Sequence, residues 1–218
     1  MTLPFKAILF DKDGTIFDSE AMFCQSWVES AKEFNVHFTA EMYDQFVGVR
    51  ADECYRRAVD IFGKDFPMDE FKVYNRKWIN DQKAIGVPFK LGFQAFFEKV
   101  LASKLPLGLV TSSTAEATRL SFGPYPEYLP HFQVQITGDK VAKPKPDPMG
   151  YLMACQALNV EPSQALVFED STAGITAGLE AGCQVVAIPD YLPIAQPLLD
   201  RCAYVLESFE QADFLLNT

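Results

Sequence analysis

Short apolar runs that end abruptly in polar clusters set the rhythm of this chain. Ala7-Ile8-Leu9-Phe10 leads into Asp11-Lys12-Asp13-Gly14-Thr15, Leu107-Gly108-Leu109-Val110 into Thr111-Ser112-Ser113, and Ala165-Leu166-Val167-Phe168 into Glu169-Asp170-Ser171. Runs this short and this apolar predict buried strands entering polar loops. Further strands are expected near 132–136, at 185–188 and at 203–205. The segment from Ser19 to about Asn35 carries Phe23, Trp27 and Ala31 four apart, with Phe34 three later on the same face, which predicts an amphipathic helix. Helical patterning continues to about Ile85, with Thr39, Asp52 and Asp69 as expected N-caps. Helices are also expected over 93–102, from about Thr114, up to about Leu158, and behind Ser171, where Ala173, Gly174, Ala177, Gly178 and Ala181 permit close packing.

Strands alternating with helices imply parallel pairing, so the expected fold is α/β with a doubly wound, Rossmann-like parallel sheet. The stretch from Phe17 to Ile85 shows no strand pattern. It reads as an inserted helical bundle (residues 17–86), with residues 1–16 and 87–218 forming the α/β core domain.

Composition narrows the possibilities. With 49% hydrophobic residues in 218, the chain can build a core without disulfides or structural metal. Its formal net charge of -10 disfavours nucleic acid and anionic membrane as main partners, since both call for a field of Lys and Arg. The cysteines at 24, 54, 155, 183 and 202 are odd in number and widely spaced, which fits a reducing cytoplasm and no zinc site. The N-terminal residues lack the apolar segment of a signal peptide, and no run is long enough to span a membrane. His37 and His131 are the only histidines, so His-centred chemistry is not expected.

In an open parallel sheet, ligands bind beyond the carboxyl ends of the strands, so the three polar clusters should converge. Carboxylates without His suit a hard, oxygen-seeking cation such as Mg²⁺. A carboxylate can also attack phosphorus, provided that a metal and a Lys screen the repulsion from the phosphate. Lys143, in the Pro-rich loop 143–148, could reach the same rim.

These residues resemble the haloacid dehalogenase superfamily. Phe10-Asp11-Lys12-Asp13-Gly14-Thr15 resembles its first signature, Thr111 after a strand its second, Lys143 opening a Lys-Pro-x-Pro-Asp-Pro run its third, and Phe168-Glu169-Asp170-Ser171 with Ala173-Gly174 its fourth. The resemblance implies that Asp11 is the nucleophile and a Mg²⁺ ligand. Asp13 would be the general acid/base, with its carbonyl on the metal. Thr111 and Lys143 would bind phosphate, with Ser112 contributing its backbone N–H. Asp170 would ligate the metal, and Glu169 would be a direct or outer partner. Asp18-Ser19-Glu20 resembles the subgroup of β-phosphoglucomutase, sugar-phosphate phosphatases and phosphoglycolate phosphatase, which inserts a helical cap after the first motif. Phe46-Val47-Gly48-Val49-Arg50 resembles a cap stretch whose Arg meets substrate.

The mutases carry a His where this chain has Phe23, which favours hydrolysis of a small phosphorylated metabolite, such as a sugar phosphate, over phosphosugar mutase chemistry. Asp13 argues against dehalogenation. The alternative from another class is a non-catalytic phospho-accepting signalling module, but receiver domains hold their acidic pair and phospho-acceptor on different strands. A monomer is the expected state.

Overall fold

The computed structural model describes residues 3–47, 49 and 51–216. β1 (Ala7–Phe10) is followed by four helices, α1 (Glu20–Glu33), α2 (Ala40–Tyr43), α3 (Ala51–Phe62) and α4 (Met68–Ile85). The chain returns through α5 (Phe93–Ser103) to β2 (Leu107–Val110). From there, α6 (Ala115–Phe122), β3 (Val134–Ile136), α7 (Met149–Leu158), β4 (Ala165–Glu169), α8 (Thr172–Glu180), β5 (Gln184–Ala187), α9 (Gln196–Leu199) and β6 (Tyr204–Val205) follow in turn.

The strands form one sheet in the order β3-β2-β1-β4-β5-β6, and every pairing is parallel. The doubly wound α/β fold expected from the sequence is therefore present. β1 lies at the centre, with Leu9 level with Gly108 of β2 on one side and Val167 of β4 on the other. The chain fills one half of the sheet and then crosses to the other, so β1 and β4 flank the point where the winding reverses. Ligands of open α/β sheets bind at such a point.

Side chains alternate across the strands as the period of two requires. Ile8, Phe10, Leu166, Phe168 and Val186 face one core, while Leu9, Val167, Val185 and Ala187 face the other. The first core is rich in phenylalanine. Phe10 stacks on Phe168 at 5.0 Å and meets Phe93, Phe97 and Phe132 edge-on. Central strands with both faces covered account for the unbroken apolar runs in the sequence.

The helices between β1 and α5 build a third cluster around Trp27, whose ring lies 4.7–5.5 Å from those of Phe38, Phe46, Tyr55 and Phe71. Ser26, Ser30 and Asn75 are buried there but satisfied. The Asn75 amide donates to both serine hydroxyls at 3.1 Å and accepts from the Tyr55 hydroxyl at 2.8 Å, tying α1, α3 and α4 together.

Thr39 caps α2 as expected, accepting from the Met42 N–H. Asp52 and Asp69 are not caps. Their helices begin one residue earlier, at Ala51 and Met68, and Pro67 holds the cap position of α4. In the first turn, both carboxylates still favour the positive end of the helix dipole. Among the described residues, no helix is long and apolar enough to cross a membrane.

Candidate active site

The three polar clusters meet where β1, β2 and β4 end. Asp11, Asp13, Thr111, Ser112 and Asp170 line one cavity of ≈ 640 Å³, whose opposite wall is formed by residues of α1, α3 and α4. Glu169 lies beneath it, fully buried. Oxygens of Asp11, Glu169 and Asp170 come within 4.8 Å of one another.

The expected lysine is the exception. Lys143 points to solvent, with its side chain 69% exposed and its ammonium 3.9 Å from Asp147. Lys145 occupies the site instead. Its ammonium lies 2.5 Å from Asp11 Oδ1 and 2.6 Å from Glu169 Oε1, and donates to the Val110 carbonyl at 3.1 Å. The cause is a turn closed by the Asp147 N–H on the Pro144 carbonyl, which sets Lys145 at its corner, against the sheet. The sequence held a signal for this. Lys-Pro-x-Pro occurs twice in 143–148, in registers two apart, and the second begins at Lys145. Arg50, the expected cap contact, lies outside the described residues.

Glu169 has no oxygen to spare. Oε1 receives Lys145 and the Tyr151 hydroxyl at 2.6 Å, while Oε2 receives the Asp170 N–H at 3.2 Å and the Ser171 hydroxyl at 3.4 Å. Gly174 makes room for it, since a β-carbon there would stand 2.0 Å from the carboxylate. Gly174→Ala is expected to push Glu169 off Lys145 and destabilise the fold by about 1–3 kcal/mol, the usual scale of overpacking. Urea denaturation checks this, and an unchanged midpoint would contradict it.

Asp170 accepts from the Thr15 hydroxyl at 2.9 Å. Gly14 adopts φ +82°, and a β-carbon there would come within 2.2 Å of Asp170 Oδ2, so glycine is required both for the turn and for the close approach.

Asp13 faces other partners. Oδ1 pairs with Lys12 at 2.6 Å, and Oδ2 accepts from the Ser113 hydroxyl at 2.7 Å. Lys12 is fully buried and also donates to Ser121 at 3.2 Å. Neither Lys12 nor Ser113 stood out in the sequence, because each sits inside a motif at a position that reads as spacer. Thr111 is buried and accepts from the Ser113 N–H at 3.1 Å, which shapes the loop after β2.

The electrostatics separate the two aspartates. Burial, reinforced by Glu169 and Asp13, raises the Asp11 pKa to about 7 although Lys145 pulls the other way. Burial would also raise Asp13, but Lys12 and Lys83, with hydrogen bonds from Lys12 and Ser113, outweigh it and bring the value down to about 2. Asp170 is pushed well above the ordinary carboxylate range by burial and by the charges of Glu169 and Asp11. Lys145 is held charged, because Asp11 and Glu169 overcome its burial.

This donor set fits a divalent cation. Asp11 and Asp170 are crowded and mutually repelling, and the described residues place no cation against Asp170. An oxygen-only pair of that kind suits Mg²⁺.

Comparison with known proteins agrees with this geometry. The family model for haloacid dehalogenase-like hydrolases matches residues 8–188. Validoxylamine A 7'-phosphate phosphatase of Streptomyces hygroscopicus subsp. limoneus is 35% identical over 189 residues, which is 84% of this chain and 85% of the relative. Hexitol phosphatase A of Escherichia coli is 29% identical, covering 94% of this chain and 92% of that protein. In fold, the chain is similar to CbbY from Rhodobacter sphaeroides, solved with phosphate (TM-score 0.81, 21% identity, 98% and 100% covered). It is also similar to β-phosphoglucomutase from Clostridium difficile (TM-score 0.78, 20% identity, 98% and 97% covered). A sheet that gathers three carboxylates and a lysine at its winding reversal, in a chain matched over residues 8–188, belongs to the haloacid dehalogenase-like hydrolases, and the chain is a phosphoric monoester hydrolase of that family.

Proposed function

We propose that the protein is a Mg²⁺-dependent phosphatase that hydrolyses a small phosphomonoester, a sugar phosphate or related metabolite, through an aspartyl-phosphate on Asp11. The observation that carries the reading is the contact of Lys145 with both Asp11 and Glu169, which holds the nucleophile under a fixed positive charge. Asp11 and Asp170 would hold Mg²⁺, with the Asp13 carbonyl, and the ion would neutralise phosphate charge and lower the Asp11 pKa. Glu169, its oxygens engaged, would serve as the anchor of Lys145 in place of a direct ligand.

Asp11 attacks phosphorus in line while the ester P–O bond breaks. Asp13 gives its proton to the departing oxygen. In the free protein Asp13 is ionised, but the negative charge of the arriving phosphate raises its pKa and lets it carry that proton. In the second step, Asp13 takes a proton from water, which displaces Asp11 from phosphorus and releases phosphate. Thr111, the loop at Ser112 and Lys145 hold the phosphoryl oxygens. The helices of residues 20–85 act as a cap that excludes bulk water from the first step. Phe23, which lines the cavity, offers no proton-carrying group, and this favours hydrolysis over the mutase reaction.

Activity on p-nitrophenyl phosphate should vanish in excess chelator and return with Mg²⁺. Asp170→Asn should raise the Mg²⁺ concentration needed for half-maximal rate by about tenfold or more, the scale on which metal sites weaken. Full activity of the wild type in chelator would overturn the metal-dependent mechanism.

A further inference from the structure

One buried cation in the cavity is unused by that reaction. Asn75, Arg76, Ile79, Asn80 and Lys83 line the cavity from α4, at spacings that bring one helical face to it. Lys83 is 2% exposed. Among the described residues no hydrogen bond or ion pair holds its ammonium, which stands 5.4 Å from the centre of the Phe23 ring. Lys12 and Lys145, the other buried ammonium groups of the site, are both paired. The ammonium opens on the cavity with only the Phe23 ring set against it, so a molecule bound there can supply the hydrogen-bond acceptor it lacks.

The surroundings indicate what supplies it. The charge of Lys83 is felt at Asp13, which in the proposed reaction faces the leaving oxygen. Asp13 and Lys83 line the same cavity, so a group that accepts from Lys83 there belongs to the leaving-group side of the substrate. Glu20 lines the same cavity and accepts from the Tyr43 hydroxyl at 3.0 Å. Burial raises the Glu20 pKa to about 7, so at neutral pH its carboxyl is still partly ionised and disfavours a substrate carboxylate beside it, but not a hydroxyl. A hydroxyl can accept from Lys83 and donate to a carboxylate at once. Burial first, then repulsion by Lys12, lowers the Lys83 pKa to about 8 against the pull of Asp13, so at neutral pH the group is still a charged donor.

We propose that Lys83 determines specificity by donating to a hydroxyl near the ester oxygen of the leaving group, selecting polyol phosphates over phosphomonoesters that bear a carboxylate or no oxygen there. The inference rests on the phosphatase reading above. Its test is Lys83→Met, assayed on sorbitol 6-phosphate, 2-phosphoglycolate, propyl phosphate and p-nitrophenyl phosphate. For the variant, kcat/KM on sorbitol 6-phosphate should fall about 10- to 100-fold, the worth of a hydrogen bond to a charged group. Propyl and p-nitrophenyl phosphate report only the change at Asp13 that all substrates share, and their loss should be at least about fivefold smaller than that on sorbitol 6-phosphate. Lys83→Gln, which keeps a donor, should recover part of the loss. Because an unpaired buried charge is removed, the thermal midpoint of Lys83→Met should not fall. Equal losses on all substrates, no loss on sorbitol 6-phosphate, or a wild-type preference for 2-phosphoglycolate would each overturn the role of Lys83 while leaving the phosphatase reading standing. Failure of the wild type to hydrolyse any of the four would overturn both.

Discussion

Asp11→Asn should lower kcat by at least about 10⁴-fold, the scale on which loss of a covalent nucleophile is felt. The amide is nearly isosteric but cannot form the acyl phosphate. The same change relieves a crowded site. Asp11 is one of the charges that push Asp170 upward, and its own burial is unfavourable to the ionised form. The variant should therefore fold at least as stably as the wild type, with a thermal midpoint equal or higher. The combination of lost turnover and retained stability separates a nucleophile from a structural carboxylate. Turnover within tenfold of wild type would remove Asp11 from the chemistry.

Lys145→Met should cost about 10²–10³-fold in kcat/KM, as removal of one preorganised charge donor typically does. The loss has two sources. The phosphoryl group loses a cation, and Asp11 and Glu169 lose the group that offsets their mutual repulsion. Lys143→Met, two residues away, should stay within about twofold, since that ammonium is mostly solvated. The paired assay distinguishes the two Lys-Pro-x-Pro registers directly. If Lys143→Met were the crippled variant, the assignment of Lys145 would fail.

That pair also marks where reading the sequence succeeds and where it stops. The positions of Asp11, Asp13, Thr111, Ser112, Glu169 and Asp170 were legible because each follows a buried strand, and strand ends in a parallel sheet share one edge. Lys143 was misplaced because a proline-rich loop has no period to fix which side chain faces inward, and one turn, closed from Asp147 to Pro144, decided it. Lys12 and Lys83 were invisible for a related reason. A lysine in a sequence reads as solvated, and only tertiary packing can bury one. The expected caps at Asp52 and Asp69 lie two residues past the cap positions, within the ordinary scatter of helix ends.

The separateness of the cluster around Trp27 has an evolutionary consequence. The helices that carry it contribute Phe23, Asn80 and Lys83 to the cavity, whereas Asp11, Lys145 and Asp170 hang from the sheet and its loops. Mutations that reshape the recognising wall fall on one hydrophobic core, and those that would damage the reacting groups fall on another. On the proposed reading, the choice of ester could therefore change while the reacting groups stay in place.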